Sequence, residues 1–235
     1  MIDFAIAYLP LYLKGALVGL ALTVAAMTGA LVIGVAVAMG RLSQNPVLRY
    51  LTISYVAVFR AVPPLVLLYI VYFGLPAWAV AMESDVLIAI FSPLDNRLLA
   101  ATLAFSVNAG AYVAEIVRAS ILSIPADQME AARSIGMTYP KAMRRIILPQ
   151  AFRTAFPTLC NEFIIILKGT SLASVIGVTE LMRNAQMVAS ATFRNLEAYV
   201  LAALLYVVLV ILLQLASTRI ERWMGGRGSA ARASG

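Results

Sequence analysis

Long uncharged runs alternate with short, mostly basic segments along this chain. Residues 15–40, 61–82 and 198–218 carry no charge, and 98–117 carry only Glu115. At 1.5 Å rise per residue, about 20 residues cross a hydrocarbon core of about 30 Å, so each run predicts a membrane-spanning helix. A fifth run, 154–178, holds Glu162 and Lys168. Ionisable groups are costly in lipid, so this segment is expected to face protein or water. In a bilayer the backbone must satisfy its own polar groups, which favours helices. The pattern predicts an all-α integral membrane helical bundle of about five transmembrane helices, with four spans and a re-entrant 154–178 as the alternative.

Composition agrees with the pattern. Of 235 residues, 62% are hydrophobic and only 12% charged, with mean hydropathy +0.91, whereas soluble domains carry roughly a quarter charged residues. The net charge of +7 has a topological explanation, because Lys and Arg are retained on the cytoplasmic side. With the N-terminus outside, the inside segments hold Arg41, Arg49, Arg60, Arg118, Arg133, Lys141, Arg144, Arg145, Arg153, Arg219, Arg222, Arg227 and Arg232, while Asp3, Glu83, Asp85, Asp95, Glu180 and Glu197 fall outside. An N-out, C-in topology therefore accounts for the charge, and no nucleic-acid partner is needed.

Cys160 is the sole cysteine and histidine is absent, which excludes an internal disulfide, a Cys/His zinc site and a histidine relay. Lys14 precedes a run longer than a signal-peptide core, so the first span is expected to stay as an anchor. Residues 1–14 read as a short lead-in, and the Gly/Ser/Arg-rich 225–235 as a disordered cytoplasmic tail following one membrane domain over 1–224. Gly15 with Gly19, and Gly110 with Ala114, offer small-residue spacings that let helices approach.

The segment between the third and fourth apolar runs is charged and helical in pattern. Pro125 ends the preceding span, and Asp127 with Glu130 fits a capping box, Asp127 capping and Glu130 reaching back. Ala131 and Ala132 give a face without bulk, and Gly136 stands where a helix end needs positive φ. Thr138 and Pro140 start a second helix, which Pro149 breaks or kinks at the entry to the next span.

Glu130-Ala131-Ala132, then Gly136, Ile146, Leu148 and Pro149 resemble, position for position, the EAA motif of permease subunits of ABC importers. The resemblance covers nearly the whole chain and is similar to the polar amino acid branch. It includes Phe59-Arg60-Ala61-Val62-Pro63-Pro64 ahead of Tyr72-Phe73-Gly74-Leu75-Pro76, and the stretch 111–118 followed by Ser123-Ile124-Pro125 and Gln128. It continues through Asn161-Glu162-Phe163 and Lys168-Gly169-Thr170-Ser171-Leu172. Gly169 departs from the branch, which usually has an acid there.

The resemblance implies a type I importer permease of MetI-like fold in the bacterial inner membrane, carrying a polar amino acid. Its partners would be a cytoplasmic ABC ATPase dimer, a second permease subunit, identical or related, an extracytoplasmic substrate-binding protein and membrane lipid. Glu130, Ala131, Ala132, Gly136, Ile146, Leu148 and Pro149 would couple to the ATPase. Arg60, Asn161, Glu162, Lys168, Thr170 and Ser171 would be candidates for the substrate path. No GxxxxGK[ST] loop occurs, so the chain is expected to be no enzyme and to bind no cofactor, with ATP and Mg held by the partner ATPase. An ion-coupled secondary amino acid transporter using Glu115 and Glu162 is the alternative.

Overall fold

Small side chains set the closest helix packing. The computed structural model describes residues 2–229, with side chains from 3 to 224. Helix α1 (Ile2–Arg41) buries Gly15, Gly19, Thr23, Ala26, Ala30, Gly34 and Ala38, a stripe at steps of three and four. Against it lies α6 (Arg97–Leu122), which buries Ala100, Ala104, Ala111 and Ala114, and this pair forms the most extensive contact of the fold. A Cβ on Gly34 would stand 2.5 Å from Val113 Cγ1, so only glycine permits this approach. Ser106 Oγ donates to the Ala26 carbonyl across the seam at 3.1 Å. In lipid, where apolar surfaces gain nothing by leaving water, such packing and hydrogen bonds supply the attraction between helices.

The second crossing is broken. α2 (Pro46–Ala61) starts on Asn45, whose side chain accepts from the N–H groups of Val47 and Leu48. It runs along α6, where Tyr55 Oη donates to Val107 O at 2.6 Å and Asn108 Nδ2 to Phe59 O at 2.8 Å. Val62 and Pro63 are extended, because a residue preceding proline is driven out of the helical region. The crossing then resumes through α3 (Pro64–Tyr69), a π turn over Ile70–Gly74 and α4 (Leu75–Ala81). α2 is thus helical up to this break, where Arg60 stands beside Tyr112 of α6. Tyr112 is ten residues from the end of α6, or about 15 Å inward.

A short α5 (Asp85–Phe91), capped by Ser84, leads into α6. α7 (Ala126–Ser134) follows α6, and the chain then forms α8 (Tyr139–Ala142), a π turn over Met143–Ile147, α9 (Leu148–Gly169) and a closing 3-10 turn, Thr170–Ile176. From Tyr139 to Ile176 this is one helical segment of 38 residues. That is long and apolar enough to cross rather than re-enter. Pro149 does not break it, because the wider turn lets Leu148 N–H reach Met143 O just ahead of the proline, which has no N–H to place.

α10 (Leu181–Thr192) and α11 (Asn195–Ser229) complete the chain. Phe4 and Tyr12 pack with Leu181, Ala185 and Ala198, and Tyr12 Oη donates to Ala198 O at 3.0 Å. The expected lead-in is therefore continuous with α1 through Pro10. Five helices are long and apolar enough to span a membrane, and no strand occurs among the described residues. One end of the bundle gathers Arg41, the end of α6, α7 and α8. The other holds the start of α1, α10 and the Arg97 bond to Gly177 O. α11 continues to Ser229, and the rest of the expected tail, 230–235, lies outside the described residues.

Candidate functional site

Two neighbourhoods collect the residues singled out by sequence. The first is the α6–α9 connection. α7 enters from Pro125, which stands at its N-terminal boundary with no side-chain cap, so the expected capping box is not formed. Pro125 brings its own fixed φ of −55° to the helix entry, and Asp127 lies two residues too far in to cap. Asp127 instead places its charge in the first turn, where the helix dipole favours an acid. Glu130 is exposed, and its carboxylate makes no hydrogen bond among the described residues.

The far end of α7 forms as expected. Gly136 has φ +81°, its N–H donates to Arg133 O at 2.9 Å and Met137 N–H donates to Ala132 O at 3.1 Å. This is the Schellman arrangement, which needs a left-handed residue after the last turn. Ala132 is buried with Ala142, Met143 and Ile147 under α7, while Ala131 stays exposed. Ile146 is half-buried, and Leu148 and Pro149 are exposed. The outcome is a short helix held at the bundle end, presenting Glu130 and Ala131 outward and keyed by Ala132 to the root of α9.

The second neighbourhood is a cleft of about 520 Å³ between α2, α6 and α9, lined by Arg60, Tyr112, Glu115, Ser120, Thr154, Thr158 and Glu162 among others. That volume lies within the range of small-molecule sites. Thr154, Thr158 and Glu162 repeat every four residues along one face of α9, a polar stripe that the spacing alone makes visible. Glu162 is 7% exposed and makes no hydrogen bond or ion pair among the described residues, with the Arg60 charge acting on it across the cleft. Arg60 lies over the Tyr112 ring, 5.1 Å from its centroid, a cation–π contact that holds the guanidinium without neutralising it. Tyr112 was not among the candidates, and only the fold brings it to Arg60. Glu115 is different: Arg118 Nη2 approaches it at 2.7 Å, as the spacing predicts, and Arg41 from the end of α1 joins as a second cation. That carboxylate is committed to tying α1 to α6.

The remaining path candidates lie elsewhere. Lys168 and Ser171 line a separate cleft of about 360 Å³ with Met182, Tyr199 and Tyr206, so the structure does not bring Lys168 to Glu162. Asn161 is exposed. Thr170 is fully buried, donates to Leu167 O at 2.7 Å and faces Gly19 of α1. Glu180, one of the acids that the charge pattern assigns to the outer segments, is fully buried. It caps α10 by accepting from the N–H groups of Met182 and Arg183 and accepts from Tyr206 Oη at 2.9 Å. Burial raises its pKa above the ordinary carboxylate value, partly offset by those three bonds.

Residues 30–226 match the model of a family described as binding-protein-dependent transport system inner membrane component. The chain is 40% identical over 221 residues to a probable amino-acid ABC transporter permease protein, PatM of Vibrio harveyi, covering 94% of this chain and 93% of that one. It is also 40% identical over 205 residues to the L-cystine transport system permease protein TcyB of Bacillus subtilis, covering 86% and 81%. Among solved structures, an amino acid ABC transporter crystallised with histidines superposes with TM-score 0.82 at 34% identity, covering 94% of this chain and 98% of that chain. The MetNI methionine ABC transporter superposes with TM-score 0.75 at 23% identity, covering 93% and 98%, which is a likeness of fold.

Proposed function

The chain belongs to the family of inner membrane components of binding-protein-dependent transport systems, and from that premise we propose how its two neighbourhoods divide the work. It is the permease subunit of an ABC importer for amino acids, with relatives named accordingly over nearly its whole length. The α7 connection is the contact that an ATPase drives, and the cleft between α2, α6 and α9 is part of the route for a polar amino acid. With Arg41, Arg118, Arg133, Lys141, Arg144 and Arg145 gathered at the α7 end, the positive-inside rule puts that end in the cytoplasm and the N-terminus outside. An ATPase dimer then meets α7, and a binding protein delivers substrate at the other face. A second permease, identical or related, closes the path, and ATP with Mg belongs to the ATPase.

The observation that carries this reading is the mechanical continuity from α7 to Glu162. Ala132 keys α7 onto the π turn, and α9 continues from it without a break. Glu162 lies 14 residues beyond Leu148, about 21 Å along α9, which stays helical through Pro157. A tilt imposed at α7 by closure of the ATPases therefore moves one wall of the cleft relative to Arg60, which sits on a different, broken helix. Arg60 and Glu162 present opposite charges to the same space, matching the carboxylate and ammonium of an amino acid backbone. Asn161, Lys168, Thr170 and Ser171 lie outside this cleft, and among them Lys168 and Ser171 line the second one.

A cross-linking experiment tests the docking. In a Cys160→Ser background, Ala131→Cys is expected to cross-link to an ATPase subunit when the complex is isolated. Co-isolation without any cross-link from Ala131→Cys would place the contact elsewhere. In the same background, Ser134→Cys should resist a membrane-impermeant thiol reagent in intact cells while Thr192→Cys reacts, and the reverse pattern would invert the topology.

A further inference from the structure

An apolar groove of about 460 Å³ runs between α1, α6 and α9 near the α7 end, meeting the cleft that holds Arg60 and Glu162 only at Ser120. Its walls include Leu31, Val35 and Met39 of α1 and Leu148, Phe152 and Leu159 of α9. Met39, Val35, Leu148 and Phe152 are each 40% exposed or more, so the groove opens sideways. From Leu148 to Leu159 it follows 11 residues of α9, about 16 Å, close to half of a hydrocarbon core of about 30 Å. That is the depth of one leaflet.

A second cavity, of about 540 Å³, is lined by Thr138, Pro140, Lys141, Arg144 and Arg145. None of these three cations has an ion pair or hydrogen bond among the described residues. The π turn joins the two features. With i to i+5 bonding it takes more residues per turn than an α-helix, so Arg144 precedes Leu148 by close to one full turn and stands on the face that continues into the groove. An apolar slot one leaflet deep, headed by unpaired cations on the same helix face, has the charge and shape of a bound anionic phospholipid.

We propose that an anionic phospholipid occupies this site, one acyl chain in the groove between α1 and α9 and its phosphate on Arg144, Arg145 and Lys141. The lipid bridges the first helix to the root of the helix that carries Glu162. The proposal rests on the spanning helices, and it holds whichever way the chain is oriented and whatever it transports.

The test uses the full permease–ATPase complex in mild detergent, with native mass spectrometry after adding phosphatidylglycerol or phosphatidylcholine. Retention of phosphatidylglycerol over phosphatidylcholine is expected. Each basic residue near a membrane surface strengthens anionic-lipid binding roughly fivefold, so Arg144→Gln with Arg145→Gln should weaken it about 25-fold. Met39→Trp, which fills the groove and leaves every cation in place, should also displace the lipid. Phosphatidylglycerol retained equally by both variants would overturn the proposal. So would inorganic phosphate competing fully with lipid while Met39→Trp has no effect, which would mark a phosphate site only. Loss of the ATPase from the double variant with lipid retention unchanged would assign the cations to a protein contact instead.

Discussion

Replacing Gly136 by valine isolates the role of one backbone conformation in coupling. Its φ of +81° closes the Schellman turn, and no atom lies within 4 Å of where a Cβ would point. A side chain therefore meets no steric obstacle beyond its own backbone, and the cost is conformational. Placing an L-residue in the left-handed region costs about 1–2 kcal/mol, with β-branching making it worse. A cost of that size disfavours the closed turn roughly 5- to 30-fold. The bonds from Gly136 N–H to Arg133 O and from Met137 N–H to Ala132 O would be lost in the open form, and α7 would no longer be fixed relative to α9. In proteoliposomes containing the whole complex, Gly136→Val should keep ATP hydrolysis and lose uptake, raising the ATP consumed per amino acid imported. Gly136→Asn, which tolerates the left-handed region, should restore most of the coupling. A Gly136→Val complex that imports with unchanged stoichiometry would refute the idea that this turn transmits force.

Three further outcomes follow from the packing and the cleft. Gly34→Leu would force a side chain into Val113, where a Cβ already falls at 2.5 Å. Overpacking costs about 1–3 kcal/mol and lowers the melting temperature by about 2–4 °C per kcal/mol, and an unchanged melting curve would contradict the α1–α6 seam. Glu162→Gln should weaken apparent amino acid affinity about 10- to 100-fold, the worth of a hydrogen bond to a charged group, while leaving assembly with the ATPase intact, and unchanged uptake affinity would remove Glu162 from the path. Glu180 has a raised pKa, so the fold favours its protonated form. Its stabilising contribution is full below the ordinary carboxylate pKa and declines as pH rises through the raised value. Glu180→Gln should flatten that decline in thermal unfolding measured across pH, and an identical pH profile would contradict the burial argument.

Much of this architecture was legible because a bilayer imposes simple demands. Apolar runs of spanning length located all five crossings, and the charges within 154–178 pointed to a helix that faces protein or water. Gly136 could be assigned positive φ from its place after an alanine-rich turn. The misreadings share a physical origin: local pattern does not reveal what a neighbouring element satisfies. Asp127 and Glu130 match a capping box, but Pro125 begins the helix earlier and removes the need for it. Pro149 signals a break, yet the π turn before it accommodates the missing donor. The burial of Glu180 is invisible along the chain, because only the fold brings Tyr206 to it and α10 over it. Arg60, just ahead of Pro63 and Pro64, falls where the helix is interrupted, and the fold adds its neighbours, Tyr112 under the guanidinium and Glu162 across the cleft. The division of Glu162 and Lys168 between two clefts follows from the winding of α9, which six residues of spacing leaves open.

Uptake of labelled amino acid by the reconstituted complex tests the account most directly, with ATP enclosed on the α7 side and ionophores present to collapse all ion gradients. Import that requires ATP and survives the ionophores is the predicted result. Import that proceeds without ATP on an imposed ion gradient, and stops when that gradient is dissipated, would contradict it.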